Sequence, residues 1–232
     1  MESNERLARL GERAAAEVAD GSTVGLGTGS TAEAMIRALG ARVAEGLTVT
    51  GVATSNRTIA LARSLDIPLA ALDDVERIDL CIDGADEIDP NVDVVKGKGG
   101  ALLFEKLVAR QAHRYLIIAS DEKLVTRLGT RLPLPVEIVP LGWKATARAI
   151  AALGLDPTLR SKDDGSPYVT DGGHWIVDCN PPAGGIPDPA GLAADLKAIV
   201  GVVEHGLFIG MADLALTIDE AGAIAETVRT GA

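Results

Sequence analysis

The sequence predicts an α/β fold: a doubly wound, mostly parallel sheet with a small α+β domain inserted late in the chain. Three observations predict it. Short aliphatic runs alternate with stretches of helical periodicity as far as Ser120. Aromatics make up only 3% of a 232-residue chain that is 47% hydrophobic, so its strands must be built from Ala, Val, Leu and Ile, as buried parallel strands are. After Leu132-Pro133-Leu134-Pro135 the order becomes strand, helix, strand, strand, helix, strand, which is the split ferredoxin-like unit.

Leu7, Leu10, Ala14, Ala15 and Val18 recur at helical spacing, and Gly21 closes that helix. A buried strand over 23–27 enters a glycine loop, and 31–39 is helical up to Gly40. A second strand over 47–53 leads to a helix over 56–65, a short third strand over 67–70 and a fourth over 78–82. The segment 101–111 is helical and 115–119 is the fifth strand. In the inserted part, 136–139 is a strand, 144–153 a helix, and 168–178 two strands around the Gly172-Gly173 turn. A helix over 192–199 and a strand over 202–209 complete it, and 214–218 returns to the large sheet. The boundaries predicted are a Rossmann-like domain of 1–130 plus 208–232 and a small domain of 131–207.

The net charge of −11 gives no global reason to bind nucleic acid or anionic lipid. An anionic substrate then needs a local positive site within a negative envelope. The N-terminal stretch lacks the apolar core of a signal peptide, and no run approaches the ~20 apolar residues of a membrane span, so a cytoplasmic protein is expected. Cys81 and Cys179 show no metal-ligand spacing and read as buried free thiols.

Three segments carry candidate chemistry. Gly25-Leu26-Gly27-Thr28-Gly29-Ser30-Thr31 joins a strand to a helix, where glycines permit a tight turn and helix-start amides face an anion. It fails as a dinucleotide fingerprint, because Ser30 stands where the last glycine is needed and Ala53-Thr54-Ser55 offers no acid for a ribose. It lacks the Gly-Lys-Ser/Thr ending of a nucleotide P-loop. Phosphate binding and simple helix capping by Ser30 or Thr31 both remain open on this loop alone.

The second segment, Asp83-Gly84-Ala85-Asp86-Glu87-Ile88-Asp89, begins where the fourth strand ends, the layer in which open parallel sheets bind ligands. Its carboxylates suggest a hard cation as a rival occupant, but the EF-hand pattern is absent and no histidine is near in sequence. A solvated acidic turn is the third option.

The third segment, Lys96-Gly97-Lys98-Gly99-Gly100, places two lysines among glycines just before a helix, where they can neutralise a phosphate or an oxyanion. Glu105 follows in the opening turns of that helix beside Leu102, Leu103 and Phe104. Semi-apolar surroundings raise a carboxyl pKa toward the value a general base needs; a surface glutamate favoured by the helix dipole is the alternative. Lys123 falls at the carboxyl end of the fifth strand.

Taken in order, Gly27 to Thr31, Asp83 to Ile88, Lys96 to Lys106 and Leu132 to Glu137 resemble ribose-5-phosphate isomerase of the A type, in register over nearly the whole chain. The resemblance implies that Thr28, Gly29, Ser30 and Thr31, then Asp83, Gly84, Ala85 and Asp86, then Lys96, Gly97, Lys98 and Gly99, together with Lys123, bind a sugar phosphate. It implies Glu105 as the catalytic base, no metal or other cofactor, a homodimer or homotetramer, and a place in the non-oxidative pentose phosphate pathway. Lys98 stands where members vary between glycine and a basic residue, and Ser120 where many have aspartate.

The implied reaction interconverts D-ribose 5-phosphate and D-ribulose 5-phosphate through an enediolate. Glu105 would move the proton from C2 to C1, Asp83 would assist ring opening, Lys96 would stabilise the oxyanion and Asp86 would orient substrate or Lys96. Two rivals stand beside it. A non-catalytic sugar-phosphate sensor would keep the cradle without needing Glu105, yet this sequence has no helix-turn-helix before the first strand. An amino-sugar phosphate deaminase shares a similar Gly-Thr-Gly-Ser-Thr loop but gives no reason for Asp83 to Asp86 or for the Lys96 loop.

Overall fold

Aliphatic runs too short to form helices pair as strands, and the amphipathic stretches between them cover the sheet. In the computed structural model, which describes residues 3–229, the first half comprises α1 (Ser3–Ala15), β1 (Ser22–Leu26), α2 (Ser30–Ala44), β2 (Val49–Ala53), α3 (Asn56–Ser64), β3 (Ile78–Gly84), β4 (Glu87–Ile88), β5 (Val94–Val95), α4 (Leu102–Arg110) and β6 (Ala112–Ser120). The second half comprises β7 (Leu134–Ile138), α5 (Trp143–Ala151), β8 (Asp156–Leu159), β9 (Trp175–Asn180), α6 (Pro189–Ala198), β10 (Val202–His205), β11 (Leu207–Phe208), β12 (Leu214–Ile218) and β13 (Ile224–Val228).

The chain divides into two compact units. The first holds the residues up to Ala85, Phe104–Leu124 and Met211 onward. Its sheet runs β13-β12-β6-β3-β1-β2, parallel throughout except for the antiparallel edge pair β12–β13. From β1 the chain moves outward to β2, then returns to the other side of β1 with β3. The gap between β1 and β3 is thus the topological switch point, where doubly wound sheets place their ligands.

One face of this sheet is a core of Val24, Leu26, Leu80, Ile82, Leu116, Ile118 and Leu216 packed on Leu10, Met35, Ile36 and Leu39 of α1 and α2. Those helices approach closely at Gly11, where a Cβ would lie 2.6 Å from the backbone of Ala34. Gly40, expected to end α2, lies inside it instead; a Cβ there would meet Leu65 at 2.9 Å, so packing rather than termination explains this glycine.

The second unit holds Asp86–Leu103 and Val125–Gly210. Its four-stranded antiparallel sheet has the order β10-β7-β9-β8, giving with α5 and α6 the expected ferredoxin-like βαββαβ unit. A separate three-stranded sheet, β11-β5-β4, pairs Val94 and Val95 with Phe208 and Leu207. That pairing groups the acidic turn from Asp86 and the lysine loop with the second unit, a division that differs from the boundaries at 130/131 and 207/208 read from the sequence.

Other segments also differ. The segment 67–70 makes only a bridge from Leu69 to Gly51, with Pro68 contributing a carbonyl but no amide. The Gly172-Gly173 turn exists, but across it only Val169 bridges Trp175; β9 pairs instead with β7 on one side and on the other with β8, a strand the sequence reading did not include. The strand read over 202–209 is broken at Gly206, where a Cβ would stand 2.2 Å from the Lys96 carbonyl. Beyond Ile218 the chain adds β13, which pairs antiparallel with β12 at the sheet edge.

Candidate active site

The parallel strands of the first unit end in one layer, and most of its candidate residues lie there. Between β1 and α2, Gly29 is the N-cap residue, with φ near +113° and no side chain capping the helix start. Neither Ser30 nor Thr31 caps α2, so its first amides are turned toward the loop as an anion site requires. Ser30 is exposed and Thr31 half-buried.

Thr28 behaves differently from a simple hydroxyl donor to ligand. Its Oγ1 lies 2.8 Å from Thr54 Oγ1, 2.8 Å from Ser55 Oγ and 3.1 Å from Thr58 Oγ1. Thr58 in turn donates to the Gly27 carbonyl at 2.9 Å, and Ser55 caps α3 by accepting the Thr58 amide. The side chain of Thr28 therefore ties the loop to the end of β2. Sequence reasoning passed over Thr54, Ser55 and Thr58; the signal was present in a hydroxyl cluster directly after a strand.

Asp83, at the end of β3, is fully buried, and its Oδ1 accepts the amides of Thr28 at 3.0 Å and Gly84 at 2.7 Å. Gly27 makes room for it, since a Cβ there would stand 2.1 Å from the same oxygen. Residues 25, 27, 81, 83 and 115 share the sheet face covered by α4, where a Cβ on Gly25 would meet Val108 and Cys81.

Glu105 lies in the first turn of α4 and is only 5% exposed, which sets aside the surface-glutamate alternative. Burial, and then the neighbouring Asp83, Cys81 and Glu105 side chains, push the fully buried Tyr115 phenol well above its ordinary pKa. Asp83 and Glu105 thus act on the same buried space beneath α4. Tyr115 itself was not among the residues singled out from the sequence. Lys123 ends the short turn Asp121–Lys123 after β6; its Nζ is 3.9 Å from Glu122, whose carboxylate also accepts Ser120 Oγ at 3.0 Å.

The other candidates belong to the second unit. Asp86 Oδ2 accepts the Lys98 amide at 2.9 Å, so this carboxylate shapes the lysine loop directly. Lys96 is 3% exposed, its backbone amide bonds the Gly206 carbonyl at 2.9 Å, and its Nζ lies 5.6 Å from the centre of the Phe208 ring. Gly97 has φ near +106°, and Leu102 and Pro135 fill the place of its Cβ. Lys98 and Gly99 are exposed.

The remaining acids of the turn serve backbone amides. Glu87 accepts those of Gly129, Arg131 and Leu132, and Asp89 those of Asn91 and Asp93. Among the described residues, no group of three His, Cys, Asp or Glu side chains is arranged to hold a metal ion.

Residues 50–222 match the family model described as ribose 5-phosphate isomerase A, or phosphoriboisomerase A. The chain belongs to the ribose-5-phosphate isomerase A family. A ribose-5-phosphate isomerase A of Thermomicrobium roseum is 52% identical over 95% of this chain and 91% of its own. The ribose 5-phosphate isomerase A of Methanocaldococcus jannaschii superposes with a TM-score of 0.92 at 34% identity, covering 98% of this chain and all of its own. A D-ribose-5-phosphate isomerase in complex with phospho-erythronic acid superposes at 0.94 and 34% identity, covering 99% of this chain and all of its own. The fold of this chain is therefore that of the family.

Proposed function

We propose that this member of the ribose-5-phosphate isomerase A family interconverts D-ribose 5-phosphate and D-ribulose 5-phosphate with Glu105 as the proton-transfer base. The observation that carries this assignment is the burial of Glu105 on the first turn of α4, acting with Asp83 on the buried Tyr115. Asp83 assists ring opening. Glu105 then takes the proton from C2 of the open aldehyde, the electron pair moves into the C1–C2 bond, and the former carbonyl oxygen becomes the enediolate oxyanion. The C1 oxyanion is then protonated while the C2 hydroxyl gives up its proton, and as C2=O forms the electron pair of the C1–C2 double bond takes the proton from Glu105 at C1, which yields the ketose.

Lys96 supplies positive charge to the oxyanion, and the uncapped amides of α2 with Ser30, Thr31 and Lys123 bind the phosphate end. Gly29, Gly84, Ala85, Gly97, Lys98 and Gly99 contribute main-chain shape, and Asp86 holds the Lys98 amide. No metal is assigned a step. Phospho-erythronic acid, bound by a relative, is one carbon shorter than the substrate but carries a phosphate and a carboxylate, the second of which resembles the two oxygens of an enediolate, so it should compete for this site.

The test is proton exchange. Turnover in D₂O should place deuterium at the transferred position, because a proton carried by Glu105 equilibrates with solvent during the enediolate's lifetime. A sugar-phosphate sensor would incorporate none. The family resemblance also supports a cytoplasmic homodimer or homotetramer, checked by sedimentation velocity; no helix among the described residues is long and apolar enough to cross a membrane.

A further inference from the structure

The lysine loop is gripped within the second unit by two side chains that no motif marked. Arg160 directly follows β8, and its side chain is only 15% exposed. Asp178 of neighbouring β9 fixes the guanidinium: Nε donates to Oδ2 at 2.8 Å, and Nη2 pairs with Oδ1. This planar fork-to-carboxylate match leaves Nη1 aimed in one direction, and no lysine reproduces it. Nη1 donates to two successive carbonyls, Gly97 at 2.9 Å and Lys98 at 3.1 Å.

Tyr168 continues the grip. Its amide bonds the Arg160 carbonyl, its ring lies 5.8 Å from the guanidinium carbon, and its hydroxyl reaches the Gly99 carbonyl at 3.3 Å. Gly100 allows that approach, since a Cβ there would stand 2.3 Å from the Tyr168 hydroxyl. Three consecutive carbonyls therefore face the clamp, while the Lys98 amide is taken by Asp86.

We propose that Arg160, locked by Asp178, is a positioning residue for the isomerase: it sets the peptide planes of 97–99 and thereby the direction in which Lys96 is presented. This rests on the assignment of Lys96 to oxyanion stabilisation. Stabilisation confined to the transition state is lost in kcat rather than KM when its source is misplaced, and a displacement of about 1 Å can cost on the order of 10²-fold.

The experiment is a double-mutant cycle on the full chain with D-ribose 5-phosphate. R160A should lower kcat by about 10- to 100-fold with KM changed less than about threefold. In a K96A background the same change should cost less than about threefold, because the group it positions is gone. R160K keeps the charge without the fork and should fail to restore kcat. Should R160A fold poorly, D178N frees the guanidinium with Arg160 still present, and its effect should likewise vanish in K96A. Multiplicative effects of R160A and K96A, or full kcat in R160K, would overturn the positioning role alone. A K96A enzyme of normal activity would bring down the Lys96 assignment and the proposal with it.

Discussion

The carboxylate of Asp83 accepts the main-chain amide of Thr28 at 3.0 Å, joining the ends of two adjacent strands at the switch point of the sheet. The same oxygen accepts the Gly84 amide, so one buried group fixes the glycine loop and the start of the acidic turn together. Asparagine keeps an accepting oxygen but discards the charge, whereas alanine removes both. Asp83→Asn should therefore fold, bind substrate with KM within a few-fold of normal, and lose roughly 10²-fold or more in kcat. Asp83→Ala should lose the same in kcat and also raise KM, because the Thr28 amide is no longer held. Steady-state kinetics separate the two. Equal KM values in both variants would show that the loop does not depend on this oxygen.

Glu105 provides the sharper chemical test. Glutamine matches its shape but cannot take a proton, and general-base catalysis is worth ~10²–10⁴-fold. Glu105→Gln should lose at least the lower figure in kcat with its melting temperature little changed. Near-normal turnover would remove Glu105 from the role.

Much of this arrangement was legible in the sequence, because strands, glycine turns and charged loops are local signals. The carboxyl ends of β1, β3 and β6 were located, and with them Thr28, Asp83 and Lys123. The role of the Thr28 hydroxyl was not: the hydroxyl cluster of Thr54, Ser55 and Thr58 is visible after its strand, but nothing local couples it to Thr28, 26 to 30 residues away. Gly40 was misread for the same reason: a helix glycine that admits Leu65 looks in sequence like one that ends a helix. The grouping of Asp86 and Lys96 with the second unit depends on pairing between Val94-Val95 and Leu207-Phe208, which are more than a hundred residues apart. Arg160 is invisible to motif reading because its partners are carbonyls, and every residue has one.

The acidic turn makes a prediction about metals. Glu87 and Asp89 serve the backbone amides of 129–132 and 91–93, and Asp86 serves Lys98, so these carboxylates are shaping loops. Exhaustive chelation followed by assay in metal-free buffer should leave kcat unchanged. Activity that returns only on addition of a divalent cation would reassign the turn as a metal site.

Glu137 makes a prediction about pH and stability. On β7 it is 1% exposed, and its Oε1 accepts from Thr170 Oγ1 at 2.8 Å and pairs with His174 Nδ1 at 3.0 Å. Burial raises its pKa above the ordinary 4.5; the bonds from Thr170 and His174 and the charge on His174 oppose this, and Glu204 adds to it. A carboxyl raised in the folded state binds its proton more tightly there than in the unfolded chain. Stability therefore falls as pH rises from the unfolded value through the folded one, and the full cost is present above the folded pKa. Glu137→Gln keeps an oxygen for Thr170 and removes the charge that burial penalises. Its melting temperature should equal or exceed that of the parent at pH 7 to 8, and the advantage should shrink as pH is lowered toward 4. Melting curves across that range decide the matter. A variant that is less stable at pH 8 and recovers on acidification would mean that the ion pair with His174 outweighs the burial cost.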